Sequence, residues 1–148
     1  MTTLLRIAAI LLSLLLANVA LGAEPRAMVL VVRSDSPIAD LDSIEMRKLY
    51  LGIPVWRNGR ALQPLLNRSS PQIQQIFLQT IVAMSETNYE RRVLQMAIKF
   101  GRPTPRAYDD VQALAAAIRA DELAVTYMWS DQAQDSARLK GLRVLWRE

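Results

Sequence analysis

The 148-residue sequence contains no histidine and no cysteine. Without them the usual zinc, copper and haem ligand sets cannot be assembled. Serine–histidine and cysteine–histidine catalysis are excluded on the same ground. No disulfide can form, so packing alone must hold the fold even in an oxidising compartment. Aromatic residues make up only 6% of the chain, and no series of them interleaves with basic residues. That argues against a platform for stacked bases and assigns Trp56, Trp129 and Trp146 to the core or a cleft edge.

Long apolar runs are also scarce, and the one present is N-terminal. Residues 1–23, "MTTLLRIAAILLSLLLANVALGA", carry a single charge at Arg6, then run mostly apolar from Ile7 to Leu16. Small residues follow at Ala20, Gly22 and Ala23. A short basic start, an apolar centre and a small-residue end define a secretory signal peptide. The run is shorter than the ~20 residues of a spanning helix, and no basic stop-transfer cluster follows it. The expectation is cleavage after Gly22 or Ala23, with no transmembrane anchor after cleavage. A single periplasmic domain of about 125 residues then spans 24–148, enough for one proper core.

Losing Arg6 takes the formal net charge from +4 to +3. A pI near 9.8 could suit nucleic acid, but an exported protein seldom meets it. The basic residues are also scattered, among them Arg57, Arg60, Arg68, Arg91, Arg92, Arg102 and Arg106. Scattered charge suits a small anion or an anionic membrane face better than a nucleic acid.

Along the chain, "AMVLVV" (27–32) reads as a strand covered on both faces. Asp42 and Glu45 have capping-box spacing, and Leu41 and Met46 have staple spacing, so a helix starts there and stops at Gly52. Asn58-Gly59 marks a tight turn before a short strand around Leu62 to Leu66. Ile73, Ile76, Phe77, Ile81 and Met84 share one helical face, predicting a helix from Pro71 to about Ala83. Ser85 caps the next helix, and Gly101 ends it. "RPTPRAY" (102–108) reads as a loop because prolines resist helix. Asp109 and Gln112 repeat the capping-box spacing before another helix. A strand at 123–129, a short polar helix and a final strand at 142–146 follow. Strands separated by helices predict one α/β domain with a largely parallel or mixed sheet flanked by helices.

Arg68-Ser69-Ser70 is the candidate site, and it has two compatible readings. A strand ends just before it and a helix starts just after it. That places a guanidinium, two hydroxyls and helix N-terminal N–H groups at the ligand-binding edge of an α/β sheet. Alternatively Ser70 is only the N-cap, Pro71 the first helical residue and Arg68 a solvated side chain. "RSDSPI" (33–38) offers hydroxyls after a strand near the same sheet edge, but reads better as a solvated turn. Arg91-Arg92 reads as a solvated helix face, and "RPTPR" as a basic rim of unspecified role. Asp42 and Asp109 are explained by capping, and no spacing resembles a calcium loop. No nucleophile–base pair appears, so no enzyme is expected and no cofactor is called for.

The segment "PIADLDSIEMRKLYLGIPVWRNGRALQPLLNRSSPQIQQIFLQTIV" resembles the phosphate-binding periplasmic proteins of ABC importers, and more closely their short exported single-domain members. Those proteins share an "L-x-x-x-E-x-x-x-I-[FY]-L-G" helix, a "W-x-[ND]-G" turn, and an Arg-Ser loop opening a Phe-containing helix. Here these are Leu41 to Gly52, Trp56 with Asn58-Gly59, and Arg68-Ser69 with Phe77. "DDVQALAAAIRADELAVTYM" is similar to the family's closing helix–turn–strand. The resemblance implies a shortened type II periplasmic-binding-protein-like fold. It also implies a non-enzymatic solute-binding role with phosphate or a similar small anion as ligand, and Arg68, Ser69 and Ser70 as the contacting loop. Its implied partner is an ABC permease or another envelope protein. The family's "S-x-G-[ST]"-like run is absent, because Ser70 leads directly to Pro71, and Thr126 stands where glycine is frequent. These departures favour the alternative, an envelope accessory or interaction protein that kept the fold without tight ligand binding.

Overall fold

The computed structural model describes residues 25–148, so the expected signal peptide lies outside the described residues. The strands are β1 (Ala27–Arg33), β2 (Trp56–Arg57), β3 (Arg60–Ala61), β4 (Gln63–Asn67), β5 (Arg106–Tyr108), β6 (Ala124–Trp129) and β7 (Leu139–Arg147). The helices are α1 (Ser43–Tyr50), α2 (Pro71–Phe77), α3 (Glu86–Phe100), α4 (Val111–Ala120) and α5 (Ser130–Asp135).

Five strands form one mixed sheet in the order β5-β4-β6-β1-β7. β4 runs parallel to β5 and β6, whereas β1 runs antiparallel to β6 and β7. β1 alternates as a doubly covered strand should. Met28, Leu30 and Val32 pack into a larger core with residues of α1, α2 and α3. Val29 and Val31 face a smaller one with Leu114 and Ala115 of α4 and Ala133 of α5. The sheet is therefore a central layer with helices on both sides.

Local signals explain most element boundaries. Asp42 and Glu45 form the reciprocal capping box of α1, and Gly52 follows that helix at φ +86. A Cβ there would also stand 3.3 Å from Met96 Cβ, so α3 packs close against this turn. Asn58 and Gly59, at φ 50 and 73, make the tight β2–β3 turn. Ser85 caps α3, and Gly101 ends it in the left-handed region.

Five readings change. β1 runs against its neighbours, pairing Met28 with Trp129 and Val31 with Thr126. Its end, and with it the 33–38 loop, therefore lies at the opposite edge of the sheet from Arg68. The 102–108 segment is not all loop. Once past Pro105 the backbone regains its N–H donors, and Arg106–Tyr108 pair with Leu65–Asn67 as an edge strand. Asp110, not Asp109, caps α4 by accepting from Ala113 N at 2.9 Å, because the helix starts one residue later than the spacing implied. The helix after Ser70 widens into a π turn over Leu78–Val82 before Ala83 turns left-handed. Ile76 and Phe77 recur five residues later as Ile81 and Val82, all buried, and a five-residue period suits that wider turn. Trp56 is 58% exposed on the hairpin, whereas Trp129 is buried and packs against Trp146.

Candidate functional site

The loop at 67–72 sits where β4 leaves the sheet. β4 pairs with β6 only through Gln63–Pro64 against Ala124–Val125. Beyond that point side chains bridge the two strands. The Tyr50 hydroxyl donates between Leu65 O (3.2 Å) and Val125 O (3.1 Å), and Thr126 Oγ1 donates to Leu65 O at 3.0 Å. Asn67 closes the gap. Its Nδ2 donates to Tyr127 O at 2.9 Å, and its backbone N–H donates to the Tyr127 hydroxyl at 3.2 Å. Asn67 and Thr126 are fully buried, so each must be hydrogen-bonded where it stands.

An aromatic cluster supports this bridge. Phe77 stacks on Tyr127 at 4.8 Å between ring centroids, and Tyr50 and Tyr89 meet Phe77 edge-on at 5.2 and 5.4 Å. The Tyr89 hydroxyl donates to Tyr50 O at 2.8 Å. Burial pushes the phenols of Tyr50, Tyr89 and Tyr127 above their ordinary pKa, so all three stay neutral at physiological pH. The positive charge of Arg68 opposes that rise at Tyr89 and Tyr127, which puts its field over the cluster.

The loop itself is divided in its commitments. Asn67 Oδ1 accepts from Ser69 N (3.0 Å) and from Ser69 Oγ (2.6 Å), so the Ser69 hydroxyl proton is in use. Ser70 Oγ accepts from Ile73 N at 3.2 Å as the N-cap of α2, and its own proton remains free to donate. Arg68 N donates to Tyr108 O at 2.8 Å, anchoring the loop to β5. Among the described residues, the Arg68 guanidinium has no hydrogen-bond or ion-pair partner, and neither do the N–H groups of Ser70 and Gln72. Pro71 contributes no N–H.

The three predicted residues thus come together at the C-terminal ends of β4 and β5. The space beneath Arg68, walled by Phe77, Glu86, Tyr89 and Tyr127, is only about 10 Å³, room for about one water. Any anion must therefore sit on the outer face of the loop. Glu86 is held there by Gln74 Nε2, which donates to it at 2.6 Å. Asp110 at the start of α4 and Asp131 in the first turn of α5 add negative charge after neighbouring strands at this edge. The edge therefore carries both signs.

Sequence reading missed Asn67 and the tyrosine bridge. The signal available was one polar residue closing the apolar strand "PLLN". In the 33–38 loop, Ser36 bonds locally by accepting from Ile38 N, as expected of a turn, and donates to Glu122 O. Asp35 instead pairs with Arg33. Arg91 and Arg92 are exposed on α3. Among the described residues no cluster of acidic or other ligating side chains could hold a metal, and no helix is long and apolar enough to cross a membrane.

No protein-family model and no curated protein matches the chain. Solved structures do. An ABC-type phosphate transport receptor from Vibrio cholerae superposes with a TM-score of 0.59 and 13% identity, over 80% of this chain and 46% of its own. A protein assigned as a phosphate ABC transporter substrate-binding protein, with bound phosphate, from Clostridium perfringens gives 0.62 and 14%, over 80% and 45%. At such identity the likeness is one of fold. The chain has a periplasmic-binding-protein-like fold in shortened form, spanning less than half the length of these two proteins.

Proposed function

We propose that this chain is an exported, non-enzymatic solute-binding-like protein. It holds phosphate or a similar small anion on the outer face of the 67–72 loop. The observation that carries the reading is the set of unengaged donors at that loop. Arg68 supplies the positive charge, Ser70 a hydroxyl proton, and the N–H groups of Ser70 and Gln72 the helix-start donors. Ser69 holds the loop through Asn67. Two fold neighbours carry phosphate in their names or their site, which selects phosphate as the first ligand to test. In this reading the periplasm is the compartment and an ABC permease or another envelope protein is the partner.

The site is open, and exposed ionic contacts contribute roughly 0–1 kcal/mol each. The expected dissociation constant is therefore on the order of 1 mM. Calorimetric titration of residues 24–148 with phosphate tests this, with Arg68→Ala as control. Saturable heat that the substitution removes is the expected result. No saturable heat up to about 10 mM phosphate would sink it.

A second reading has its own support. The Ser69 proton is consumed, the cavity under Arg68 is too small for an anion, and acids share the edge. These features favour an envelope accessory protein that uses this fold to meet another protein. Capture of a protein partner with unchanged affinity in Arg68→Ala, together with silent phosphate titrations, would select it.

A further inference from the structure

A larger opening lies away from Arg68, where β5 is too short to cover β4. β5 pairs only with Leu65–Asn67, leaving the first half of β4 as an open edge. A groove of about 570 Å³ runs along it, within the range of small-molecule sites, about 300–1,000 Å³. Ile53-Pro54 forms one wall and the 102–105 turn the other. Leu62, Leu65, Ala117 and Ala120 form an apolar floor.

Its occupant is constrained on two counts. An added strand would need alternating donors and acceptors from β4. Pro64 faces this edge without an N–H, so a peptide cannot extend the sheet here. Charge then selects the ligand. Arg102 and Arg106 line the groove, and neither guanidinium has a hydrogen-bond or ion-pair partner among the described residues. Opposite them stands one acid, Asp121, whose Oδ1 already accepts from Leu123 N at 2.8 Å. The ends of α1 and α4 also direct carbonyls toward this side and temper the positive charge. The lining still carries two cations against one anion. Arginine's fork matches a planar carboxylate, and the apolar floor suits an anion that carries a hydrocarbon body.

We propose that this groove binds a small amphiphilic carboxylate, its apolar body over Ala117 and Ala120 and its head between Arg102 and Arg106. The site is independent of the Arg68 loop. Titrating residues 24–148, which contain every element described above, with decanoate below its micellar concentration tests it. Saturable one-to-one binding is expected. The Arg102→Ala/Arg106→Ala double variant should weaken it at least 10-fold, and decylamine should bind at least 10-fold more weakly than decanoate, each step being about 1.4 kcal/mol. Ala117→Phe should abolish binding by filling the floor. Ala120→Phe, at an exposed position, repeats that test should Ala117→Phe unfold. Phosphate titrations should be unchanged in all of these variants. Equal binding of decylamine, an unaffected double variant or the absence of saturation would overturn the proposal. So would a stable dimer by light scattering that decanoate leaves intact.

Discussion

The floor and the outer face of the 67–72 loop are made by neighbouring residues under opposite constraints. On the floor, Asn67 satisfies the backbone of β6 and the Tyr127 hydroxyl, and every partner is buried. Above it, the half-buried Arg68 guanidinium and the N–H groups of Ser70 and Gln72 have no partner among the described residues. Burial explains the difference. An unpaired polar group costs about 1–3 kcal/mol where water cannot reach it, and almost nothing where water can. A loop can hold free donors only if the structure beneath it is rigid without them.

The contrast can be broken from the floor upward. Phe77→Ala removes the ring that Tyr50, Tyr89 and Tyr127 all touch. It should cost about 3–5 kcal/mol in denaturant unfolding. Asn67→Ala leaves Tyr127 O and Ser69 N without their partner. It should cost about 2–3 kcal/mol and weaken phosphate binding indirectly by releasing the loop.

Alkaline pH reaches the same floor without mutation. Burial raises the pKa of Tyr50, Tyr89 and Tyr127 in the folded chain. Their contribution is complete below the unfolded value near 10 and declines as pH rises past it. The decline is about 1.4 kcal/mol per pH unit per tyrosine. Melting temperature against pH should be level from neutral pH up to that value and fall above it. A Tyr127→Phe chain should fall less steeply.

Moving outward, effects shrink. Ser70→Ala removes the α2 cap and should cost about 1 kcal/mol, with Ser70→Asp restoring most of it while repelling an anion. Arg68→Ala removes a half-buried side chain that borders Phe77, Tyr89 and Tyr127 but has no hydrogen-bond or ion-pair partner among the described residues, and should change stability by no more than about 0.5 kcal/mol.

Much of the fold was legible because it is written in short-range pattern. The capping box at Asp42–Glu45, the Asn58-Gly59 turn, the Ser70-Pro71 start and the alternating faces of β1 all depend on residues a few positions apart. The site's floor was not legible, because Asn67 and Tyr127 lie 60 residues apart in sequence. Strand direction is equally non-local. "AMVLVV" reads as a buried strand either way, and only its pairing with Trp129 to Thr126 places the 33–38 loop at the far edge. The edge strand Arg106–Tyr108 is three residues long behind two prolines, too short to show a period. The motif residues behind the family resemblance also divide unexpectedly. Tyr50, Phe77 and Tyr127 serve the core, Ser69 ties the loop to Asn67, and Trp56 lies exposed on the hairpin.

The most direct measurement is a phosphate titration of residues 24–148 beside Arg68→Ala, followed by calorimetry in low-salt buffer. Saturable binding on the order of 1 mM that disappears in the variant, with an unchanged melting temperature, is the predicted result. Equal binding by both chains, or none by either, would contradict an anion site at this loop.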